Sequence, residues 1–459
     1  MSKVHFIGIG GTGISAIALL LLEKGWQVSG TDKSASRYFD AVTAKGAYTL
    51  LGHSPELALA ADVIVRSSAV HDDDPEVVVA RMRGIPVLKR NEFLPELTAG
   101  YQTIAVAGSH GKTTCTAMLV TMLRGLGVDP TFILGAQIRP LATNAHAGTS
   151  DLFVIEADEY DNMFLGLSPK FSLLTNVEYD HPDFFPTPEA YNQAFAAFVH
   201  RTQPGGAVIA CAEDEGVRNL LAREDFDGIQ ILTYGYSPDC TYHIQNIRWN
   251  GDGYNFNLIH TPSQQELGEF GLRVPGRHNL LNAAGALAVL HQMGLNPSAA
   301  SESLAEFVGT ERRFEQVCHS GDTVVINDYG HHPTQLDLTL EAARELYPDH
   351  HLWAVWEPHT FSRTDRMHNA FVTALQRADR IVILPTYAAR ETVETNTPSQ
   401  IAEEIGGSKA AYFMNFPEAA DFVAKEADGL NVVIIFSAGK GPEFATMLCQ
   451  KLDTRKQND

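Results

Sequence analysis

Short apolar runs, each closed by glycine or a polar turn, alternate along this chain with longer stretches whose apolar residues return at helical spacing. A buried parallel strand needs apolar side chains on both faces, whereas a helix lying on a sheet needs one apolar stripe. The alternation therefore predicts parallel sheets covered by helices, an α/β chain. Runs at 4–9, 27–30, 63–67 and 86–88 predict the strands of a first unit that ends near Thr98. A second unit starts at Tyr101, with strands at 103–107, 152–157, 172–176 and 207–210 and a helix running through Leu126. Between Asp239 and Leu272 the period shortens to alternation with turn signals such as Asn250-Gly251-Asp252-Gly253, which predicts antiparallel strands. Helical spacing at 279–293 and 298–307 closes the unit, and 309–313 reads as a hinge. A third unit carries strands at 323–327, 352–356, 380–384 and 432–436, and its polar tail, 453–459, reads as frayed.

Bulk properties narrow the setting. A chain of 459 residues is too long for one core, and 44% hydrophobic content supports ordered packing. A formal charge of −21 leaves no basic footprint for nucleic acid or an anionic membrane. The most apolar run, 14–22, stops at Glu23-Lys24, short of the roughly 20 residues that a bilayer span requires. The start, Met1-Ser2-Lys3-Val4-His5, enters a strand without the pattern of a secretion signal. The expectation is a soluble, cytoplasmic protein with no nucleic-acid partner and no membrane insertion. Cys115, Cys211, Cys240, Cys318 and Cys449 lie far apart with no Cys-x-x-Cys pair, which predicts mostly buried thiols and speaks against a disulfide framework or a cysteine zinc site.

Polar residues concentrate where strands end. Gly108-Ser109-His110-Gly111-Lys112-Thr113-Thr114 follows the strand at 103–107 and opens a helix. Such a loop aims backbone N–H groups and a helix N-terminus at one point, which suits a polyphosphate, with Lys112 on the β/γ-phosphates and the Thr113 hydroxyl on Mg²⁺. The strict G-x-x-x-x-G-K-[ST] spacing is not met, because Val106 holds the first glycine position. Another glycine loop, Gly8-Ile9-Gly10-Gly11-Thr12-Gly13, matches G-x-G-x-x-G between a strand and a helix, and Asp32 ends the next strand. That arrangement admits a diphosphate at the helix N-terminus and an acid at ribose or base hydroxyls. It suits a nicotinamide dinucleotide or any other nucleotide diphosphate, a nucleotide-sugar included.

Acids gather at two later strand ends. In Glu156-Ala157-Asp158-Glu159-Tyr160-Asp161, Glu156 stands nearest the strand and is the expected Mg²⁺ carboxylate. In Thr175-Asn176-Val177-Glu178-Tyr179-Asp180-His181, His181 reads either as a second metal ligand or as a satisfied core histidine. Asn279 and Asn282, which follow Gly276-Arg277-His278, share a helix face and read as an adenine-edge contact or as a cap plus an exposed amide. The third unit closes two strands with Asn327-Asp328-Tyr329-Gly330-His331-His332-Pro333 and Glu357-Pro358-His359-Thr360-Phe361-Ser362-Arg363-Thr364. Their histidines and arginine suit a carboxylate or an incoming amine.

As an ordered set, these segments together with Arg312-Arg313-Phe314-Glu315 resemble the Mur ligase family of peptidoglycan synthesis over essentially the whole chain. The resemblance implies an N-terminal Rossmann-like domain for a UDP-sugar at 1–98, a central P-loop ATPase α/β domain at 99–309, and a C-terminal Rossmann-like ligase domain at 310–459. It implies the alanine-adding branch: an ATP- and Mg²⁺-dependent ligase that joins L-alanine to the lactyl carboxylate of UDP-N-acetylmuramate through an acyl phosphate. It puts Gly108, Ser109, His110, Gly111, Lys112, Thr113 and Thr114 around ATP, and Thr113, Glu156 and His181 on metal. It puts Asn279 and Asn282 near adenine, and Arg313 and Asp328 where the third domain meets the nucleotide. Tyr329, His331, His359 and Arg363 become the residues for the muramate carboxylate and the amino acid. Gly8, Gly10, Gly11, Thr12, Gly13, Asp32, Ser67 and Ser68 become those for the UDP-sugar.

The chain also departs from parts of the family. It has no lysine between Lys170 and Lys409. The branches that add later stem-peptide residues resemble one another in a carbamylated lysine there, which the alanine-adding branch lacks. Thr360 stands where some members of that branch carry arginine, and Tyr160 where many carry serine. The Glu-Ala-Asp-Glu-Tyr-Asp run is similar as well to the murein tripeptide recycling ligase, the nearest alternative. Two further classes compete: an NAD(P)-dependent dehydrogenase, which leaves Lys112 without work, and a non-catalytic nucleotide-binding module, which leaves Glu156 and His181 unexplained. Monomer and dimer are both compatible with the sequence, as are alanine, serine and glycine as the amino acid.

Overall fold

In the computed structural model, which describes residues 2–389, 391–392, 395 and 397–458, three sheets succeed one another along the chain. The first holds β1 (Lys3–Ile7), β2 (Gln27–Asp32), β3 (Tyr48–Leu51), β4 (Val63–Arg66) and β5 (Val87–Lys89) in the order β3-β2-β1-β4-β5. All of its pairings are parallel. The strand order reverses at β1, so a crevice opens beyond the carboxyl ends of β1 and β4, the usual ligand position in such sheets.

The central sheet has ten strands: β6 (Gln102–Ala107), β7 (Thr131–Ile138), β8 (Thr143–His146), β9 (Leu152–Glu156), β10 (Phe171–Leu174), β11 (Ala207–Cys211), β12 (Gln230–Gly235), β13 (Tyr242–Trp249), β14 (Tyr254–His260) and β15 (Gln265–Leu272). Its middle is parallel, with β10, β6 and β9 side by side. The alternating segment forms the expected antiparallel β13, β14 and β15 at one edge. The third sheet holds β16 (Glu315–Ser320), β17 (Thr323–Asp328), β18 (His351–Glu357), β19 (Arg380–Ile383), β20 (Ala410–Tyr412) and β21 (Asn431–Ser437), in the order β16-β17-β21-β18-β19-β20. Only β16 runs antiparallel to its neighbour.

Packing explains why the apolar run after the first glycine loop is so long. The helix Thr12–Glu23 buries Ile14, Ile17, Leu20 and Leu21 and packs against β7 and β8 of the central sheet as well as its own. A helix covered on two sides loses its polar face. The first and central units consequently share one apolar core, which fixes the two glycine loops relative to each other.

Two expectations need correction. Cys318 on β16 and Cys449 on the last helix, 131 residues apart in sequence, form a disulfide, so only Cys115, Cys211 and Cys240 are buried thiols. The pairing escaped the sequence because β16, a polar edge strand, carried no strand signal. The tail expected to fray continues the helix Gly441–Asn458, and Asp459 lies outside the described residues. Ahead of the tail, the inner face of this helix is held on the sheet by Leu448 and Leu452. Among the described residues, no helix is long and apolar enough to cross a membrane.

Candidate active site

Strand register brings the phosphate loop and the first acidic run together. β6 pairs β9 with Val106 opposite Glu156, and it pairs β10 with Ala107 opposite Leu174, so both acidic segments flank the loop that follows β6. Gly108 has φ +142°, and a Cβ there would lie 1.9 Å from Thr175 Oγ1. Gly111 has φ +81°, and its Cβ would lie 2.7 Å from Asn282 Oδ1. Glycine is needed at both positions for conformation and for room. The helix Lys112–Gly125 then begins with no side-chain cap and no acid in its first turn, so its first N–H groups are left for an anion. Thr114 lies in that turn. The His110 N–H donates to Asn176 Oδ1 at 2.8 Å, and the Ser109 hydroxyl donates to Glu178 O at 2.7 Å.

The Lys112 ammonium donates to Glu159 Oε2 at 2.7 Å and to Gly108 O. Burial works against its charge, but the carboxylates of Glu159, Asp158 and Glu156 outweigh that and hold its pKa up. Glu159 is fully buried; desolvation opposes its ionisation, yet Lys112 and His181 bring its pKa down to about 2. Without an anion in the loop, Glu159 therefore neutralises the lysine. An arriving polyphosphate competes for the same charge. The Thr113 hydroxyl donates to Glu156 Oε1 at 2.9 Å, and Gly135 N–H donates to Glu156 Oε2 at 2.6 Å. A hydroxyl and a carboxylate this close form an all-oxygen donor pair, the chemistry Mg²⁺ prefers. Burial raises the Glu156 pKa, and a bound cation would reverse that. His181, at φ +56°, faces Glu159 Oε1 at 3.5 Å and Asp180 Oδ2 at 3.8 Å. Its imidazole thus lies on the Glu159 side of the lysine.

Asn279 and Asn282 are buried on the helix His278–Gln292. Asn282 Nδ2 donates to Asn279 Oδ1 at 2.9 Å, and Asn279 Nδ2 donates to Pro275 O at 2.7 Å. The pair braces the loop at Gly111.

The third unit reaches this pocket from the other side. Arg363, 1% exposed, donates from Nε to Asp180 Oδ1 at 2.8 Å, a buried ion pair that spans two sheets. Desolvation opposes the Asp180 charge, but Arg363 and His181 hold its carboxyl well below the ordinary range. The Arg363 Nη1 also donates to His359 Nδ1 at 2.7 Å, and the His359 and His331 rings lie 5.5 Å apart. Burial beside Arg363 holds His331 at about 4 and pushes His359 well below its usual value. Both shifts favour the neutral ring, which can accept hydrogen bonds, as His359 Nδ1 does from Arg363. Asp328 accepts N–H groups from Phe314 and Gly330 at 2.8 and 2.7 Å, which anchors the hinge to β17. Arg312 and Arg313 lie over the Tyr329 ring at 4.9 and 5.1 Å. Arg312, Phe314, His181 and Thr360 all adopt positive φ, and such strain concentrates where structure serves a site.

The first glycine loop has a different character. The helix Thr12–Glu23 again starts uncapped, at Gly11, with no acid in its first turn. Gly10 N–H donates to Asp32 Oδ2 at 2.8 Å, and the Ser36 hydroxyl donates to Gly10 O at 2.8 Å. A Cβ on Gly8 would strike Ser67 Cβ at 2.9 Å; Ser67 and Ser68 form the turn after β4. A Cβ on Gly13 would lie 2.1 Å from Arg90 Nη1, so a guanidinium covers this loop, with Asp158 of the central unit 3.6 Å from its other nitrogen. The sequence did not single out Arg90, Glu159 or Asp180, which the structure sets against Asp158, Lys112 and Arg363. Glu159 and Asp180 stood inside quoted motifs, whereas nothing local marks Arg90.

Comparison with known proteins matches three family models to successive stretches of the chain. Residues 3–102 match the model of the Mur ligase family catalytic domain, 106–290 that of the Mur ligase middle domain, and 312–439 that of the Mur ligase glutamate ligase domain. A UDP-N-acetylmuramate--L-alanine ligase of Frankia casuarinae is 38% identical, over 97% of this chain and 94% of that protein. The crystal structure of a UDP-N-acetylmuramate-alanine ligase from Thermotoga maritima aligns with TM-score 0.82 and 27% identity, covering all of both chains. A murein peptide ligase from Psychrobacter arcticus aligns with TM-score 0.76 at 24% identity over 99% of each chain, a likeness of fold.

Proposed function

Because the chain belongs to the Mur ligase family, we propose that its three sheets act as a UDP-sugar domain (1–98), an ATPase domain (99–309) and a closing ligase domain (310–459) around one reaction centre. The chain is an ATP-dependent ligase, and the reaction is the joining of L-alanine to UDP-N-acetylmuramate. The observation that carries the residue assignments is the convergence of Lys112, Thr113 and Glu156 with a histidine and arginine cluster that the third unit holds against Asp180.

A carboxylate is a poor electrophile, so the lactyl carboxylate first takes the γ-phosphoryl group of ATP. Lys112 moves from Glu159 to the phosphates and spreads the charge of the in-line transfer. Mg²⁺, held by Thr113 and Glu156 with His181 at a second position, would supply further charge neutralisation. Asn279 and Asn282 serve the adenine end, and Arg313 with Asp328 joins the third domain to the nucleotide. The amine of L-alanine then attacks the acyl phosphate. Amide, ADP and phosphate result. Tyr329, His331, His359 and Arg363 orient the carboxylate and the amine. The UDP moiety lies on Gly8, Gly10, Gly11, Thr12, Gly13, Asp32, Ser67 and Ser68, with Arg90 over the diphosphate. The cytoplasm, where ATP is supplied, is the proposed location.

A phosphate-release screen tests this reading. UDP-N-acetylmuramate and Mg-ATP are offered L-alanine, other small amino acids or the recycled murein tripeptide. Equal release of ADP and formation of amide with L-alanine is expected. Turnover with the tripeptide alone would move the assignment to the recycling ligase, and no turnover with any amine would remove it.

A further inference from the structure

Glu178 belongs to the central unit, and its backbone is tied to the phosphate loop: its N–H donates to Ser109 Oγ at 2.8 Å, and its carbonyl accepts from that hydroxyl. Its carboxylate, 38% exposed at the rim, looks across to the third unit. Oε1 accepts from the Thr334 hydroxyl at 2.6 Å, and Oε2 accepts from His110 Nε2 at 2.8 Å. The other nitrogen of that ring, Nδ1, accepts from Gln335 Nε2 at 3.0 Å. His110 is therefore used on both sides, donating to the central unit and accepting from the third. Gln335 Oε1 in turn accepts the N–H groups of His331 and His332, at 2.9 and 3.2 Å. Thr334 and Gln335 lie in the first turn of the helix Pro333–Leu346, where a carboxylate is also favoured by the helix dipole.

We infer that Glu178 is a positioning residue: it latches the third unit onto the phosphate loop through Thr334, His110 and Gln335. It thereby keeps water from the activated carboxylate during the reaction. The inference rests on the ligase reading above. Domain closure is what protects a mixed anhydride from solvent. With the latch open, water replaces the amine as nucleophile. The acyl–phosphate bond breaks to return the lactyl carboxylate and inorganic phosphate, so ATP is consumed with no amide formed.

The test uses the full-length enzyme with UDP-N-acetylmuramate, Mg-ATP and saturating L-alanine, and reads the ratio of ADP to amide. Unaltered protein is expected to give about one ADP per amide. Glu178→Ala and, from the opposite side, Thr334→Val should each raise that ratio severalfold and lower the amide turnover number, with UDP-sugar affinity unchanged by calorimetry. The double variant should be no worse than Glu178→Ala, because the two side chains form one contact. Glu178→Gln, which keeps an acceptor for Thr334, should recover part of the coupling. Because the carboxylate is partly exposed, these changes hollow no core, and a thermal melt checks that each variant is folded. A ratio near one with unchanged turnover in both single variants would overturn the latch. So would a transition-metal ion that co-purifies with the unaltered protein and is lost in Glu178→Ala, since the ligand atoms of His110, Glu178 and His332 lie within 4.8 Å of one another. Failure of the unaltered protein to make amide would count instead against the ligase reading.

Discussion

The two glycine loops begin alike and end differently. Each follows the first strand of its sheet, and each opens a helix with no side-chain cap and no acid in its first turn. Several other helices of this chain close that end, as Ser36 does for Arg37–Ala44 and Thr187 for Pro188–Val199. Leaving a cap out forgoes about 1 kcal/mol of helix stability. The helices His278–Gln292 and Phe361–Arg366 also start uncapped, so it is the glycine loop together with the open N–H groups that suits an anion. The first loop has its acid on its own backbone, Asp32 on Gly10 N–H, and borrows its cation, Arg90, from another helix. The second carries its own lysine and threonine, and sets both against carboxylates from neighbouring strand ends. A loop that holds a diphosphate needs position and one countercharge. A loop that transfers a phosphoryl group needs charge that can move with the reaction.

The largest test of that difference is Lys112→Ala. Amide formation should fall by at least about 10²–10³-fold, the usual scale for removing one transition-state charge donor. Calorimetric binding of UDP-N-acetylmuramate should survive, since the lysine belongs to the other loop. The substitution also strands the buried Glu159, so a stability loss accompanies the kinetic one. Simultaneous loss of sugar-nucleotide binding in a folded variant would show that the two loops are not separable in function.

Much of this contrast was legible in the residues. The glycine loops, the acids at the ends of β9 and β10, and the histidine segments after β17 and β18 all announce themselves as polar interruptions of apolar strands. What stayed hidden are partners made by tertiary structure. Lys112 meets Glu159 across 47 residues and Asp180 meets Arg363 across 183, with no local pattern to signal either. Proximity to the strand picked out Glu156 as the Mg²⁺ carboxylate, and no local pattern marked Glu159 as the carboxylate that holds the lysine. The missed strands tell a similar story. β3 is largely exposed, β20 is three residues long and β16 is a polar edge, so burial on two faces, the property that betrays a central strand, is missing in each. The strands β7, β8 and β12 were missed as well, and for β7, whose first half is buried, exposure is not the reason.

A smaller change probes the first loop. Gly13 lies within the helix Thr12–Glu23, so alanine suits its backbone, and what its methyl meets is the flexible end of Arg90. Gly13→Ala should keep the fold and displace the guanidinium. The KM for UDP-N-acetylmuramate should rise about tenfold, the loss of one charge-assisted hydrogen bond, with kcat and the KM for ATP nearly unchanged. Arg90→Lys, which keeps a charge but loses the fork, should lie between. An ATP effect as large as the sugar effect would refute the division of labour between the loops.

The smallest expected effect is on stability, and acid reveals it at the second loop's side of the molecule. His331 and His332 have pKa values lowered to about 4, chiefly by burial, from an ordinary value of 6.5. Below 6.5 the unfolded chain therefore binds more protons than the folded one, and stability falls as pH drops from 6.5 toward 4. Glu178, held at about 2 by His110 and its other partners against desolvation, adds a second loss as pH falls from 4.5 toward 2. The contribution of these three groups is thus fully present above pH 6.5, and its decline comes in two steps of the same sign. Urea unfolding at a series of pH values should show the first step as a fall in midpoint between pH 6.5 and 5. His332→Gln, which leaves nothing to protonate there, should flatten that step and leave the lower one intact. An equal slope between pH 6.5 and 5 in both proteins would take His332 out of the account and leave the first step to His331 and the other buried imidazoles.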